Sequence, residues 1–185
     1  MNVLDEHLSK HALELLGKRL LEQKISPVSL YVIGGAAGLL TGAFKQQMTT
    51  GDCDIMSIDP SRLWEHVEHA ASAVATELDL LPDWLNRDCR VFGHDMPLGW
   101  RSRAKLVVES GPLTVYAMSR KDMVAVKVTN SVIRANDMRH LLSLQPTNDE
   151  LAFAHEHLDR LDSEDLNRDV RDAQRAVIDS LWSTP

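Results

Sequence analysis

The sequence predicts an α+β fold, a small mixed sheet flanked by helices with a C-terminal helical extension. Three observations carry that expectation. Short β-branched runs occur near Val28–Ile33, Thr50–Met56, Arg103–Glu109 and Leu113–Met118, each bounded by Gly, Pro or Ser. Longer stretches with helical spacing stand before, between and after them. From Pro146 onward only helical spacing remains, so the expected division is 1–145 for the sheet-bearing domain and 146–185 for the extension.

The first helix spans about Val3 to Lys24, with Leu4, Leu8, Ala12, Leu15, Leu16 and Leu20 on one face. Acidic residues lead it and basic residues end it, as the helix dipole favours, and Ser26-Pro27 stops it. His7 and His11 lie four apart and read as surface residues. Val28–Ile33 is a buried strand that breaks at Gly34-Gly35, and a small-residue helix follows from Ala36 to about Phe44. Two glycines between a strand and a helix are either an ordinary tight turn or a place where bare amides meet phosphate.

Thr50-Gly51-Asp52-Cys53-Asp54-Ile55-Met56 is the second strand. Residues i and i+2 of a strand share a face, so Asp52 and Asp54 project together. Such a pair is either a solvated strand end or the oxygen-ligand set of a hard cation such as magnesium. A helix over about 62–78 follows, capped by Asp59 or Ser61, and His66 and His69 on it have no third ligand nearby. Leu81–Asp88 reads as a loop in which Trp84 plugs the core and Asn86 is free to reach a ribose or base. His94–Gly99 reads as an exposed loop.

Arg103–Glu109 and Leu113–Met118 form a hairpin or two adjacent strands across Ser110-Gly111-Pro112. Ser119 then caps a helix carrying Met123, Val126 and Asn130 on one stripe, with Lys127 amid apolar neighbours. A buried ammonium is costly, so Lys127 either meets an anion or snorkels to the surface. Asp137 opens a further helical segment within reach of Arg134. Thr147 and Glu150 are spaced as a capping box for the next helix, and a last helix covers about Glu164 to Trp182, with Leu166 on its stripe.

The order strand, Gly-Gly, short helix, D-x-D resembles the nucleotidyltransferase superfamily that includes polymerase β. The resemblance implies that Gly34 and Gly35 face a triphosphate and that Asp52 and Asp54 hold Mg2+. Sixteen residues, Ala36 to Gly51, separate the two halves, more than the usual spacing. In that superfamily a third carboxylate comes from a later strand, and Glu109 is the only acid on the later runs. The stretch from Ser119 to Leu144 is similar to bacterial abortive-infection nucleotidyltransferases, including members of toxin–antitoxin pairs. By that likeness Lys127 contacts nucleotide phosphate and Asp137 positions or activates the acceptor. Arg134 stands where the family often carries an aspartate.

The activity implied is magnesium-dependent transfer of a nucleoside monophosphate from a nucleoside triphosphate to a hydroxyl of RNA, protein or a small molecule. A cognate antitoxin or toxin is the implied partner. The alternative is a catalytically decayed relative that binds nucleotide or protein without turnover, which the long spacer favours.

Composition sets outer limits. At 44% hydrophobic and 25% charged, the chain reads as an ordinary globular protein. No apolar run approaches the ~20 residues of a membrane span, and the N-terminal stretch lacks signal-peptide character, so a cytoplasmic location is expected. Cys53 and Cys89 have no metal-ligand spacing and read as packing residues. The net charge of −7 is uneven: −6 over residues 1–86, +5 over 87–139 and −6 over 140–185. The basic middle either lines a groove for a polyanion or is absorbed in ion pairs. The acidic remainder argues against broad nonspecific DNA binding.

Overall fold

The computed structural model describes residues 1–44, 48–132, 135–164 and 168–182. Helix α1 is Glu6–Glu22, and Asp5 caps it by accepting from the Leu8 amide at 2.7 Å. Strand β1 is Val28–Val32, α2 is Gly34–Leu40 and β2 is Cys53–Asp59. A 3-10 turn, Ser61–Leu63, leads into α3, Trp64–Leu78. That turn moves the helix start past Asp59 and Ser61, so neither caps it.

Strand β3 is only Leu85–Asn86. The expected loop after it is a 3-10 segment, Asp88–Asp95, and then α4, Trp100–Arg103. The hairpin is β4, Lys105–Ser110, and β5, Leu113–Ala117. The remaining helices are α5, Arg120–Ser131, α6, Ala135–Leu144, α7, Asn148–Glu164, and α8, Arg168–Trp182. Arg134 and Leu166 lie outside the described residues.

The five strands form one mixed sheet in the order β3-β2-β1-β5-β4. Strand β1 is antiparallel to β2 and parallel to β5, while β2 is parallel to β3 and β4 antiparallel to β5. Alternation sets the faces. Val28, Leu30 and Val32 on β1 and Leu113, Val115 and Ala117 on β5 are buried toward the helices. Tyr31 and Tyr116 point the other way and stack with centroids 5.2 Å apart, with the Trp100 ring edge-on to Tyr31 at 5.8 Å. The segment Asp88–Arg103 straps this second face.

Helix α1 lies against β4 and β5, and α3 packs on α1. Contact at one crossing is close enough to demand glycine. A Cβ on Gly17 would stand 2.3 Å from the Ser110 carbonyl oxygen, and the Ser110 hydroxyl already donates to Glu14 O at 2.8 Å. Gly17→Ala must therefore lever α1 off the β4–β5 turn. It is expected to lower stability by about 2 kcal/mol, the scale of overpacking, despite alanine's better helix propensity. Urea unfolding measures it, and an unchanged midpoint would show that the crossing yields freely.

Trp84 is fully buried and its Nε1 donates to Ala71 O at 3.0 Å, so it is the core plug its sequence position suggests. The capping box of α7 is present, with the Thr147 amide donating to Glu150 Oε2 at 2.9 Å. Helices α7 and α8 pack on α5, and Leu151, Leu158 and Ile178 join the same core as the sheet. Among the described residues no helix is long and apolar enough to cross a membrane.

Candidate active site

The glycine turn and the D-x-D strand are pressed together. The Ile33 amide donates to the Asp54 carbonyl at 3.0 Å, fixing the end of β1 against the start of β2. Gly34 has φ +68, and a Cβ on it would lie 3.1 Å from Asp54 Oδ2. A Cβ on Gly35 would lie 3.1 Å from the Thr50 hydroxyl, which itself donates to Asp52 Oδ1 at 3.1 Å. Side chains larger than hydrogen would occupy the space between the turn and the two carboxylates. Asp52 and Asp54 are half-buried on either side of Cys53, which is buried in the core and faces away from them.

A second wall comes from α5 and α6. Lys127 is buried, and its Nζ meets Asp137 Oδ1 at 2.8 Å. The lysine meets an anion of its own chain rather than snorkelling. His140 stands one turn beyond Asp137, its Nδ1 4.0 Å from Asp137 Oδ1, and its ring rests against Phe44 at 5.4 Å. Burial, with the Lys127 ammonium adding to it, brings the His140 pKa down to about 4. The imidazole is neutral at neutral pH, and of the described Lys and Arg side chains only Lys127 lines the cleft. The i, i+3 spacing of Asp137 and His140 was visible in the sequence, but His140 was not singled out there.

Between the walls lies a cleft of about 490 Å³. Gly34, Gly35, Asp52, Asp54, Lys127 and Asp137 all line it, although chain positions 34 and 137 are far apart. Glu109 does not. Through Thr114 and Ser29 it is level with Asp59 rather than Asp54, and it lies on the exposed edge strand β4. Three strand spacings separate it from β2, roughly 14 Å at ~4.8 Å each. The assignment of Glu109 to the site therefore fails on strand order, which single-sequence spacing does not give.

Asp95 is an acid of this cleft that sequence reasoning missed, because it sits at the end of a 3-10 segment that reads as a loop. Cys89 packs against the core, as its sequence reading has it, and also lines the cleft. Burial, then the Asp54 carboxylate, pushes its thiol up to about 12, which keeps it protonated and unreactive. Asn86 pairs with Asp54 across β2–β3 but opens onto a separate groove beside Trp64 and Arg87. Among the described residues no three His, Cys, Asp or Glu side chains are grouped to hold one metal ion.

Part of the basic middle of the chain is taken up in ion pairs, Lys127 among them. Arg103 grips fully buried Asp122 through Nε and Nη2, at 3.1 Å and 2.6 Å, and Arg120 meets Glu150 at 2.8 Å. Among the described residues, Lys127 is the one Lys or Arg that lines the cleft. A family model described as a nucleotidyltransferase of unknown function (DUF6036) matches residues 11–179. No curated protein and no solved structure matches the chain.

Proposed function

From the premise that the chain belongs to this family of nucleotidyltransferases of unknown function, we propose metal-dependent transfer of a nucleoside monophosphate from a nucleoside triphosphate to a hydroxyl. The observation that carries the proposal is the convergence of Gly34, Gly35, Asp52, Asp54, Lys127 and Asp137 on one cleft.

The donor set fits a hard cation. Asp52, just before β2, and Asp54, on it, offer carboxylate oxygens to one cleft, with the Thr50 hydroxyl steadying Asp52. Two carboxylates suffice for Mg2+, which commonly completes its octahedron with substrate phosphates and water rather than a full protein cage. This accounts for the lack of a three-residue cluster among the described residues. When bound, the ion neutralises charge on the transferring phosphoryl group.

The chain's own residues do the rest. Gly34 and Gly35 let the backbone approach the triphosphate, and Lys127 supplies a positive charge to it from the α5 wall. Asp137 holds that ammonium in place and also lies within the cleft that an acceptor hydroxyl must enter. Much of the acceleration in such a site comes from positioning. Acceptors that suit the proposal are RNA ends, protein hydroxyls and small molecules. The likeness of the Lys127–Asp137 region to abortive-infection enzymes extends the proposal to a role in a toxin–antitoxin pair, which growth arrest on expression would test.

A second reading is a binding module without turnover, and the displacement of Glu109 favours it. The two part on pyrophosphate release from each of the four triphosphates with magnesium, using total RNA or protein as acceptor. Release supports the enzyme. Magnesium-dependent binding without release under every acceptor supports the module, and no binding at all removes both.

Gly35→Ala probes the same site. The new methyl sits 3.1 Å from the Thr50 hydroxyl and displaces it, and the Asp52 carboxylate with it. Affinity for magnesium–triphosphate is expected to fall roughly tenfold while the melting temperature moves by only a few degrees, because Gly→Ala favours the helix. Calorimetric titration reads the first and a thermal melt the second. Unchanged affinity would reduce the glycines to a turn.

A further inference from the structure

Among the described residues four carboxylates line the cleft: Asp52, Asp54, Asp95 and Asp137. Asp52 and Asp54 form the cation pair of the proposed transfer, and Asp137 is engaged with Lys127 at 2.8 Å. Asp95 has neither task. It faces His94 at 3.3 Å, an exposed side chain that is charged only when protonated, so water competes for that contact. Asp95 also does not join Asp52 and Asp54 in a three-residue metal set among the described residues. It stands in the same cleft yet apart from the cation pair, as a group that acts on the acceptor rather than on the metal must.

Its backbone is fixed from the far end of the chain. Asp95 ends the 3-10 segment, and the buried His157 of α7 shares a hydrogen bond with the Asp95 backbone. Arg160, one turn on, donates through Nη2 to the carbonyl of the next residue, the buried Met96, at 3.2 Å. Supports of this kind hold a reacting group in place and cut the cost of orienting it. The Asp95 side chain itself is 33% exposed, which leaves it a route to water.

We propose that Asp95 is the general base of the transfer, with His157 and Arg160 as the positioning residues that hold it in the cleft. The acceptor O–H bond breaks and its proton passes to the Asp95 carboxylate. The same oxygen forms a bond to the α-phosphorus. The bond from that phosphorus to the bridging oxygen breaks, and pyrophosphate leaves with the electron pair. Asp95 then returns the proton to water. The inference rests on the nucleotidyl-transfer reading, and it supplies the acceptor-side acid that the position of Glu109 denies to that residue. It also makes α7 a contributor to the site through the strap.

The test reads binding and release separately on the full chain, with the triphosphate and the acceptor, total RNA or protein, that support release by wild type. Asp95→Asn keeps the shape but takes up no proton. It is expected to bind magnesium–triphosphate within about twofold of wild type, to melt at the same temperature, and to release pyrophosphate roughly 100-fold more slowly. Asp95→Glu restores a carboxylate and should release at least about tenfold faster than Asp95→Asn, which a merely structural role would not produce.

Undiminished release by Asp95→Asn would overturn the base assignment and leave the transfer reading intact. Equal losses of binding and release would also overturn it, by showing that Asp95 serves the metal or the nucleotide. An Asp95→Glu rate no higher than that of Asp95→Asn would count against it in the same way. If wild type binds magnesium–triphosphate but releases no pyrophosphate with any acceptor, the transfer reading falls first and this inference falls with it.

Discussion

Asp54→Asn is expected to abolish magnesium-dependent nucleotide binding and to cut turnover at least about a thousandfold, with Asp52→Asn close behind. Asp52, just before β2, and Asp54, on it, both line the cleft, and Asp54 Oδ2 is the nearest atom to the space beside Gly34. Asparagine keeps the shape and a carbonyl oxygen but removes the negative charge that binds a hard cation. Without metal the two charges repel, so each variant should melt at or slightly above the wild-type temperature in EDTA. The measurement is the gain in melting temperature on adding magnesium and nucleotide. Wild type should show it and both variants should not. If both variants gain as much as wild type, Asp52 and Asp54 are not the metal ligands.

The second large effect concerns the Lys127–Asp137 pair. The side chains are 6% and 14% exposed, so removing either partner leaves the other charge nearly buried. Lys127→Met and Asp137→Leu are each expected to cost about 3 kcal/mol of stability, within the 3–5 range for broken buried pairs. The double variant, both members replaced by apolar residues, should recover most of that loss. It should not recover nucleotide affinity, because no cation then faces the phosphates.

The cycle separates structure from chemistry. Equilibrium unfolding of the four proteins gives the coupling energy, and titration with magnesium–triphosphate gives the binding cycle. Additive stabilities would mean the two groups do not depend on each other. Wild-type affinity in the double variant would remove Lys127 from the phosphate site. His140 reports on the same event. Its pKa is held down by burial and then by Lys127, so losing the lysine should raise it, visible by NMR titration.

Local pattern made much of this legible. A β-branched run stopping at two glycines, two aspartates two apart, and a lysine inside an apolar stripe are each statements about neighbours in sequence. Their convergence followed from the resemblance. What the chain did not disclose depends on strand order. Glu109 is an acid on a later strand, but β4 is the far edge of the sheet, and nothing in the spacing of Arg103–Glu109 fixes that.

Strand β3 is two residues long and cannot show alternation, so it read as part of the loop Leu81–Asp88, and the 3-10 segment after it gave no periodic signal. That segment supplies Cys89, Phe92, Asp95 and Met96 to the cleft. Its position is set by contacts to distant helices, including Arg160 Nη2 donating to the Met96 carbonyl at 3.2 Å. Lys127 was legible as costly, but its anion came from the next helix rather than from a ligand or the surface.

The parallel pairing of β1 with β5, which sets Val28 beside Leu113, also governs the order in which the protein can assemble. Parallel neighbours need a long connection, and here it contains α2, β2, α3, β3, the strap and β4. Closing such a loop loses chain entropy before the contacts return it, which makes non-local sheets slow to fold. During synthesis β1 and β2 leave the ribosome early, yet β1 lacks one neighbour until β5 emerges. Lys127 and Asp137 follow later still. The glycine–aspartate residues therefore exist as chain well before the helix wall that completes the cleft, which needs the chain as far as His140.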